Sequence, residues 1–179
     1  DVLKIVTRET LAECESLTDY NTVSVSQNDN DQYCQCPSCE AINTREGSPM
    51  GSLLAFVNSV ADAAAAEHPH REIGTLAYQY SRKPPKTLRP RSNVRVQLCS
   101  IECCVIHALD DPTCPLNAAF MRDLNGWSNL AERLSIWHYQ VNFSDYTLIY
   151  PSLRWIDHNV RIFVSHNVEG IFMQAAGET

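Results

Sequence analysis

The sequence lacks the long apolar run that a membrane span needs, and it has fewer basic than acidic residues. None of its 179 residues belongs to an apolar stretch approaching about 18 residues, and no basic, apolar and small-residue segment indicates a signal peptide. Fourteen Lys and Arg stand against 21 Asp and Glu, a formal net charge of −7. That balance argues against general binding to nucleic-acid phosphates. The sequence therefore predicts neither a membrane span nor a nucleic-acid partner.

The sequence also lacks a glycine-rich phosphate loop after any predicted strand, which leaves a nucleotide-binding α/β domain without support. Hydrophobic residues make up 44% of the chain and charged residues 20%. That proportion is enough to bury a sizeable core and is not typical of a disordered chain. A length of 179 residues fits one ordinary domain.

Helical and strand-like apolar patterns alternate along the chain in the order α-β-α-β-β-α-β-α-β. Near-continuous apolar strands between amphipathic helices indicate a parallel sheet that is buried on both faces. Prolines mark helix starts, and Asn167 is a plausible left-handed helix end. The predicted elements are a helix over residues 2–17, a strand at Thr22–Ser26, a helix from Ser48 to Pro69, strands at Glu72–Tyr80 and Val94–Ile101, a helix from Pro115, a strand at Leu134–Tyr139, a helix from Pro151 and a strand at Val168–Gln174.

Two architectures fit this order of elements. A five-stranded doubly wound domain would be complete at this length, whereas a (β/α)8 TIM barrel needs about 250 residues. The chain starts at Asp1 without a Met, opens on a helix and closes directly after a strand. We therefore expect the later part of a barrel, with about five strands, as one domain over residues 1–179 that is truncated at both ends.

Carboxylates and aromatic rings cluster at the predicted carboxyl ends of the strands, where parallel α/β folds build their sites. Asp29 and Glu102 each follow a strand directly, and a pair of carboxyl groups can hydrolyse a glycosidic bond. Asp29 could instead close an Asx-turn, and Glu102 could pair with a basic loop residue. The predicted catalytic residues are Asp29 and Glu102, and the predicted substrate-binding residues are Asn28, Tyr78, Tyr80, Trp137, His138, Tyr139 and Gln174, with Glu178 beyond the last strand.

These residue types suit a sugar, because rings stack on pyranose faces while amides and carboxylates bond the hydroxyl groups. His138 lies within a strand between two aromatic residues, so a hydrogen-bonded core histidine is the competing explanation. On the assumption that Trp137 and Tyr139 point to opposite faces of the sheet, we expect at most one of them to line the site.

Eight cysteines are many for a chain of 179 residues. Cys14 and Cys99 lie in a predicted helix and strand, where a small buried residue is the default. The others follow two strands at one edge of the sheet, so their thiols could converge on a structural zinc with four protein ligands. Disulfides between the loops are the alternative. The candidate metal ligands are Cys34, Cys36, Cys39, Cys103, Cys104 and His107, with Cys114 in the same loop as the last three.

A basic run at Arg82–Arg91 interrupts the acidic sequence. A run of this kind is usually a solvated loop. Its functional alternative is the recognition of an acidic sugar near the mouth of the site.

Three blocks of the sequence, Val23–Cys39, Val96–His107 and Pro151–Gln174, resemble domain of unknown function 4838, a bacterial family, over essentially the whole chain. Members occur in large, often exported proteins linked to carbohydrate use. The resemblance implies a barrel near family 20 hexosaminidases and family 67 α-glucuronidases, a carbohydrate substrate, and export to the periplasm or cell exterior. Family 20 enzymes carry an adjacent Asp-Glu pair where this chain reads Asn28-Asp29-Asn30, so their substrate-assisted mechanism is not carried over.

The leading hypothesis is a glycoside hydrolase-like domain with paired carboxylates, which acts on a polysaccharide or its oligosaccharides without a catalytic cofactor. A second is a non-catalytic carbohydrate-binding or scaffold domain, which predicts aromatic rings at the mouth but no two carboxylates sharing a pocket. A third is a fold in which zinc only fastens the loops.

Overall fold

The computed structural model describes residues 1–175, in which five parallel strands form one curled half-barrel. The helices are α1 (Val2–Ser16), α2 (Pro37–Glu46), α3 (Met50–Glu67), α4 (Pro115–Leu130) and α5 (Ile156–Ser165), and the strands are β1 (Thr22–Ser24), β2 (Glu72–Ala77), β3 (Val94–Cys99), β4 (Arg133–Gln140) and β5 (Val168–Ala175). The strand order in the sheet, β1-β2-β3-β4-β5, is the order along the chain. A doubly wound domain reverses its order at a switch point. The sequential order therefore confirms part of a (β/α)8 barrel.

Most predicted elements are present, but their ends differ. Helix α2 was not expected: it starts at Pro37, ends at Gly47 with φ 67°, and is mostly polar without an apolar stripe. Strand β2 stops at Ala77 because a short 3-10 turn, Gln79–Ser81, follows it. Helix α5 starts at Ile156 rather than Pro151 because a second 3-10 turn precedes it. Asn167 has φ 57°, as predicted for a left-handed helix end.

The apolar core lies between the outer face of the sheet and the helices. Every second strand residue points outward, so the alternation of a β-strand supplies the sheet side of this core. Helices α3, α4 and α5 supply the other side. Fully buried side chains from the strands include Ile73, Val94, Val96, Leu98, Leu134 and Ile136, and those from the helices include Leu54, Val57, Phe120, Leu124, Trp127 and Phe163.

The inner face of the sheet is charged and only partly buried near the amino ends of the strands, so the expectation of strands buried on both faces is wrong there. Four inner residues, which we call the inner-face ion cluster, join β2, β3, β4 and β5. Arg95 contacts Glu72 at 2.8 Å and Glu169 at 2.7 Å, and Arg133 contacts Glu72 at 2.8 Å. The hydrogen bond from Arg95 lowers the pKa of Glu72 against the opposing effect of burial. Charged residues replace apolar ones at this face because it is only half buried.

The basic segment between β2 and β3 is irregular, as its prolines predict. Lys83, Lys86, Arg89 and Arg91 are exposed, as expected for a solvated loop, while the backbone of the segment is held by other elements. The buried carboxylate of Glu46 accepts hydrogen bonds from the backbone N–H groups of Thr87 at 2.8 Å and Leu88 at 3.0 Å. Burial opposes ionisation of Glu46, but these backbone bonds outweigh it and lower its pKa to about 2. Asn58 also donates to the carbonyl of Arg89 at 2.9 Å. The segment is thus held against α2 and α3.

None of the helices within residues 1–175 combines the length and the apolar character that crossing a membrane requires.

Candidate functional site

A pocket of about 430 Å³ opens at the carboxyl ends of the strands. This is where barrel enzymes bind their substrates, and the volume falls in the range of small-molecule sites. The pocket is lined by Gln27, Asn28, Asp29, Leu76, Tyr78, Cys99, Ile101, Trp137, Tyr139, Phe143 and Gln174. It therefore combines amides, one carboxylate and several aromatic rings.

Asp29 and Tyr78 form the polar edge of the pocket. The Tyr78 hydroxyl donates to Asp29 Oδ1 at 3.0 Å and accepts from Gln79 Nε2 at 3.1 Å. Burial, reinforced by the hydrogen bond to Asp29, raises the pKa of Tyr78 to about 12, so the phenol keeps its proton at neutral pH. Gln79 has φ 49°, an unusual value for a residue with a side chain. The turn after β2 thus positions the phenol that fixes Asp29.

Trp137 and Tyr139 form an aromatic wall on the inner face of β4. Their rings stack with centroids 6.0 Å apart and planes 14° apart. The expectation that they point to opposite faces is wrong, because residues two apart in a strand share a face. Trp137 Nε1 donates to Gln174 Oε1 at 2.8 Å, and Phe143 meets Tyr139 edge-on. Both predicted rings therefore line the pocket.

Two predicted substrate-binding residues lie elsewhere. His138 is on the outer face of β4, where its Nδ1 is 2.7 Å from Ser100 Oγ and its ring packs edge-on against Phe163. Burial lowers the pKa of His138 to about 4. His138 therefore lies in the surroundings expected of a hydrogen-bonded core histidine, the competing explanation given above. Tyr80 stacks on Tyr33 with ring centroids 4.9 Å apart, outside the residues that line the pocket.

The carboxylate of Glu102 forms an ion pair. It contacts Arg82 Nη1 at 2.7 Å, while Arg82 Nε contacts Asp123 at 2.7 Å. Glu102 does not line the pocket, which leaves Asp29 as the one carboxylate among its lining residues in the part of the chain described here. The structure thus does not bring the two predicted catalytic carboxylates into one pocket. Arg82, the first of the three arginines in the basic run, forms these ion pairs and does not line the pocket.

The structure brings six of the predicted site residues together: Asn28, Asp29, Tyr78, Trp137, Tyr139 and Gln174. Glu178 lies outside the described residues. Phe143 was missed because it follows β4 in an irregular loop with no strand pattern. Leu76 and Cys99 were missed as well, although they alternate with the outward residues of β2 and β3, and that period of two could have found them.

The predicted metal ligands form two groups instead of one. Cys34, Cys36 and Cys39 make the first group, and Cys104, His107 and Cys114 make the second, with the ligand atoms of each group within 4.8 Å of one another. Either group could hold a metal ion. Cys103 belongs to neither, because its side chain packs against the apolar core and burial raises its pKa.

The first group surrounds the start of α2. Cys36 is the residue before the first turn of the helix, and Cys39 lies within that turn rather than in a loop. The backbone N–H of Cys39 lowers the pKa of Cys36, whereas hydrogen bonding to Cys34 and burial raise the pKa of Cys39 to about 12. In the second group, the backbone N–H of His107 lowers the pKa of Cys104 to about 7 despite partial burial. All eight cysteines carry free thiols.

The fold defines the class: the chain is part of a parallel (β/α) barrel, with a pocket at the carboxyl ends of its strands. The family model described as Domain of unknown function (DUF4838) matches residues 1–179, and the chain belongs to that family. Comparison with curated proteins and with solved structures found no match.

Proposed function

We propose that this domain binds a carbohydrate in the pocket at the strand ends. The observation that carries the proposal is the stacked pair of Trp137 and Tyr139 in the same pocket as the Asp29–Tyr78 hydrogen bond. Flat aromatic faces match the C–H faces of a pyranose ring. Carboxylate and amide groups match its hydroxyls, which both donate and accept hydrogen bonds.

The amides around the rings would supply the directional contacts. Trp137 already satisfies the carbonyl oxygen of Gln174, which leaves the Gln174 amide NH₂ as a donor for a sugar oxygen. Asn28 and Gln27 line the same pocket and offer further donors and acceptors. Asp29 offers acceptor oxygens only, and these suit a sugar hydroxyl.

Hydrolysis of the bound glycan is the second candidate function, and Asp29 is the observation that favours it. Its carboxylate accepts a hydrogen bond from a protonated phenol, an arrangement that suits a base or nucleophile rather than an acid. A second carboxyl group must then protonate the leaving oxygen. Glu102 would have to leave Arg82 to do so, and binding therefore ranks above hydrolysis.

A structural zinc at Cys34, Cys36 and Cys39 is part of the proposal. Zinc–sulfur bonds of about 2.3 Å set the sulfur atoms of a tetrahedral site about 3.8 Å apart, within the 4.8 Å spread of this group. A metal there would tie the start of α2 to the segment that follows Asp29. Zinc loss would then loosen the polar edge of the pocket.

The test is calorimetric titration of the full chain with a panel of neutral and acidic oligosaccharides. A stacking platform worth about 1.4 kcal/mol corresponds to tenfold in affinity, so Trp137→Ala should weaken binding at least tenfold. Tyr80→Ala, whose ring lies outside the pocket, is the matched control and should bind as the wild type does. Equal affinity of Trp137→Ala and wild type, or binding to no member of the panel, would overturn the proposal.

The same glycans, assayed for reducing-end release, distinguish hydrolysis from binding. Asp29→Asn should abolish release, if there is any. Loss in Glu102→Gln as well would establish the carboxylate pair, whereas full activity in Glu102→Gln would remove Glu102 from the mechanism. Binding without release supports the non-catalytic function.

A further inference from the structure

The second cysteine group lies at and before the start of α4, and none of its three members lines the proposed carbohydrate pocket. Cys104 Sγ is 3.2 Å from His107 Nδ1, and the three ligand atoms of Cys104, His107 and Cys114 lie within 4.8 Å of one another. We propose that Cys104, His107 and Cys114 bind one thiophilic divalent cation, with zinc as the probe. This site is separate from the zinc proposed at the start of α2, and it takes Cys114 in place of Cys103.

The loop that carries Cys104 and His107 is held in place by Asn117, whose side chain is fully buried in α4. Asn117 Nδ2 lies within hydrogen-bond distance of three carbonyl oxygens, which share its two hydrogens: those of Cys104 at 3.0 Å, His107 at 3.2 Å and Ala108 at 2.9 Å. Asn117 Oδ1 accepts from the backbone N–H of Cys104 at 2.8 Å. Because one side chain contacts four backbone groups of this loop, the loop is held in place before any metal binds.

Cys114 reaches the group from the helix itself. It is the residue before the first turn of α4, with Pro115 next, and its side chain is buried. The position is fixed by the helix start, because the backbone N–H of Ala118 donates to the Cys114 carbonyl at 2.9 Å. A metal held by Cys114 and Cys104 would therefore join α4 to the loop that follows β3.

The donor set indicates which ions fit. Two sulfurs and one imidazole nitrogen suit zinc, cobalt and cadmium, whereas magnesium and calcium prefer oxygen ligands. Three protein ligands leave one tetrahedral position for water or another small ligand. The exposed side chain of His107 leaves that side of the group accessible.

The neighbouring cysteine provides a matched control. Cys103 is adjacent to Cys104 but packs against the core, outside the group. Truncation of Cys103 removes a thiol from the same loop without removing a proposed ligand. An effect on metal binding confined to Cys104 and Cys114 would therefore identify ligands rather than general loop damage.

The experiment uses the full chain with Cys34, Cys36 and Cys39 all changed to Ser, so that the first group cannot contribute. The reduced protein should bind one cobalt per chain, with the absorption bands of tetrahedral sulfur coordination, and zinc should displace it. Cys104→Ser, Cys114→Ser and His107→Ala should each weaken binding by tenfold or more, and Cys103→Ala should leave it within twofold. Equal loss in Cys103→Ala, or no cobalt bound by the reduced chain, would overturn the site.

A measurement on the unmodified chain guards against variants that fold poorly. Zinc should protect the partly exposed Cys104 from alkylation, as read by peptide mass spectrometry, and a chelator should restore its reactivity. An unprotected Cys104 thiol at saturating zinc, or a Cys104–Cys114 disulfide that forms in preference to metal binding, would overturn the proposal. Neither readout depends on whether the pocket binds a carbohydrate.

Discussion

The phenol of Tyr78 donates a hydrogen bond to the carboxylate of Asp29 over 3.0 Å, and this contact joins the ends of two neighbouring strands. Asp29 follows β1 and Tyr78 follows β2, so each comes from a different part of the sheet. Gln79 supports the phenol from its other side. The orientation of Asp29 in the pocket therefore depends on Tyr78.

We expect Tyr78→Phe to weaken carbohydrate binding by about two- to twelvefold, because the net contribution of a typical hydrogen bond, here the one that orients Asp29, is about 0.5–1.5 kcal/mol. The aromatic ring is retained, so the loss would report the hydroxyl alone. Titration calorimetry with the tightest glycan measures the effect. Tyr33→Phe serves as the control, since Tyr33 lies outside the pocket, and an unchanged affinity in Tyr78→Phe contradicts the role given to the hydroxyl.

The two acidic partners of Arg82 should differ in their effect on stability. Asp123 is 14% exposed at its side chain and Glu102 is 44% exposed. We expect Asp123→Asn to lower the free energy of unfolding by about 1–2 kcal/mol, and Glu102→Gln to change it by less than about 0.5 kcal/mol. Urea denaturation of both variants at pH 7 gives the comparison. A larger loss in Glu102→Gln would mean that the exposed pair is the stronger one.

Glu46 should make the fold sensitive to acid. Its pKa is lowered to about 2 from an ordinary 4.5, so the stability that its charge contributes is complete above pH 4.5 and is lost as the pH falls toward 2. We expect Glu46→Gln to cost about 1–3 kcal/mol at pH 7 and progressively less below pH 4.5. Urea denaturation at several pH values tests this window. Exposed Glu67→Gln is the control, and a pH-independent loss in Glu46→Gln would contradict the argument.

His138 should also make the free energy of unfolding depend on pH, in a window above that of Glu46. Glu46 is buried in its charged form, whereas burial keeps His138 neutral. Its pKa is lowered from 6.5 to about 4, so between those values the unfolded chain takes up a proton that the folded chain excludes. The free energy of unfolding should therefore decrease as the pH is lowered from 6.5 to 4, by up to about 1.4 kcal/mol per pH unit from this residue. We expect His138→Gln to flatten that slope, whereas exposed His70→Gln keeps it.

Nuclear magnetic resonance titration of the wild-type chain checks the same point without a substitution. The His138 imidazole should remain neutral down to about pH 5. A midpoint near 6.5 would contradict the burial argument.

The sequence predicted the architecture well because the strands and their helices carry strong local patterns. Outward residues such as Val96 and Leu98 show the apolar period, and Pro115 marks the start of α4. Helix α2 was not predicted because its mostly polar sequence has no stripe of apolar residues at helical spacing. The order of the strands, which distinguishes a barrel from a doubly wound sheet, depends on long-range pairing that no local pattern contains.

The site was predicted in part, for a similar reason. Tyr78 directly follows β2, and Asn28 and Asp29 lie four and five residues after β1, so closeness to a strand end was enough to place them at the pocket. Glu102 also follows a strand, but its ion pair with Arg82 depends on a segment 20 residues away in sequence. The division of the cysteines into two groups is likewise a matter of tertiary packing.

The inner-face ion cluster has a consequence for how the strands align. A shift of β3 by one residue against β2 would turn Arg95 toward the helices and Val94 toward the inner face, because side chains alternate along a strand. The guanidinium would then lie among apolar groups, and Glu72 would lose its partner. On the outer face, valine and leucine can occupy one another's positions at modest cost. The charged residues of the inner face form these ion pairs in only one alignment of the strands. These ion pairs therefore specify the strand register, independently of how much they contribute to the free energy of unfolding.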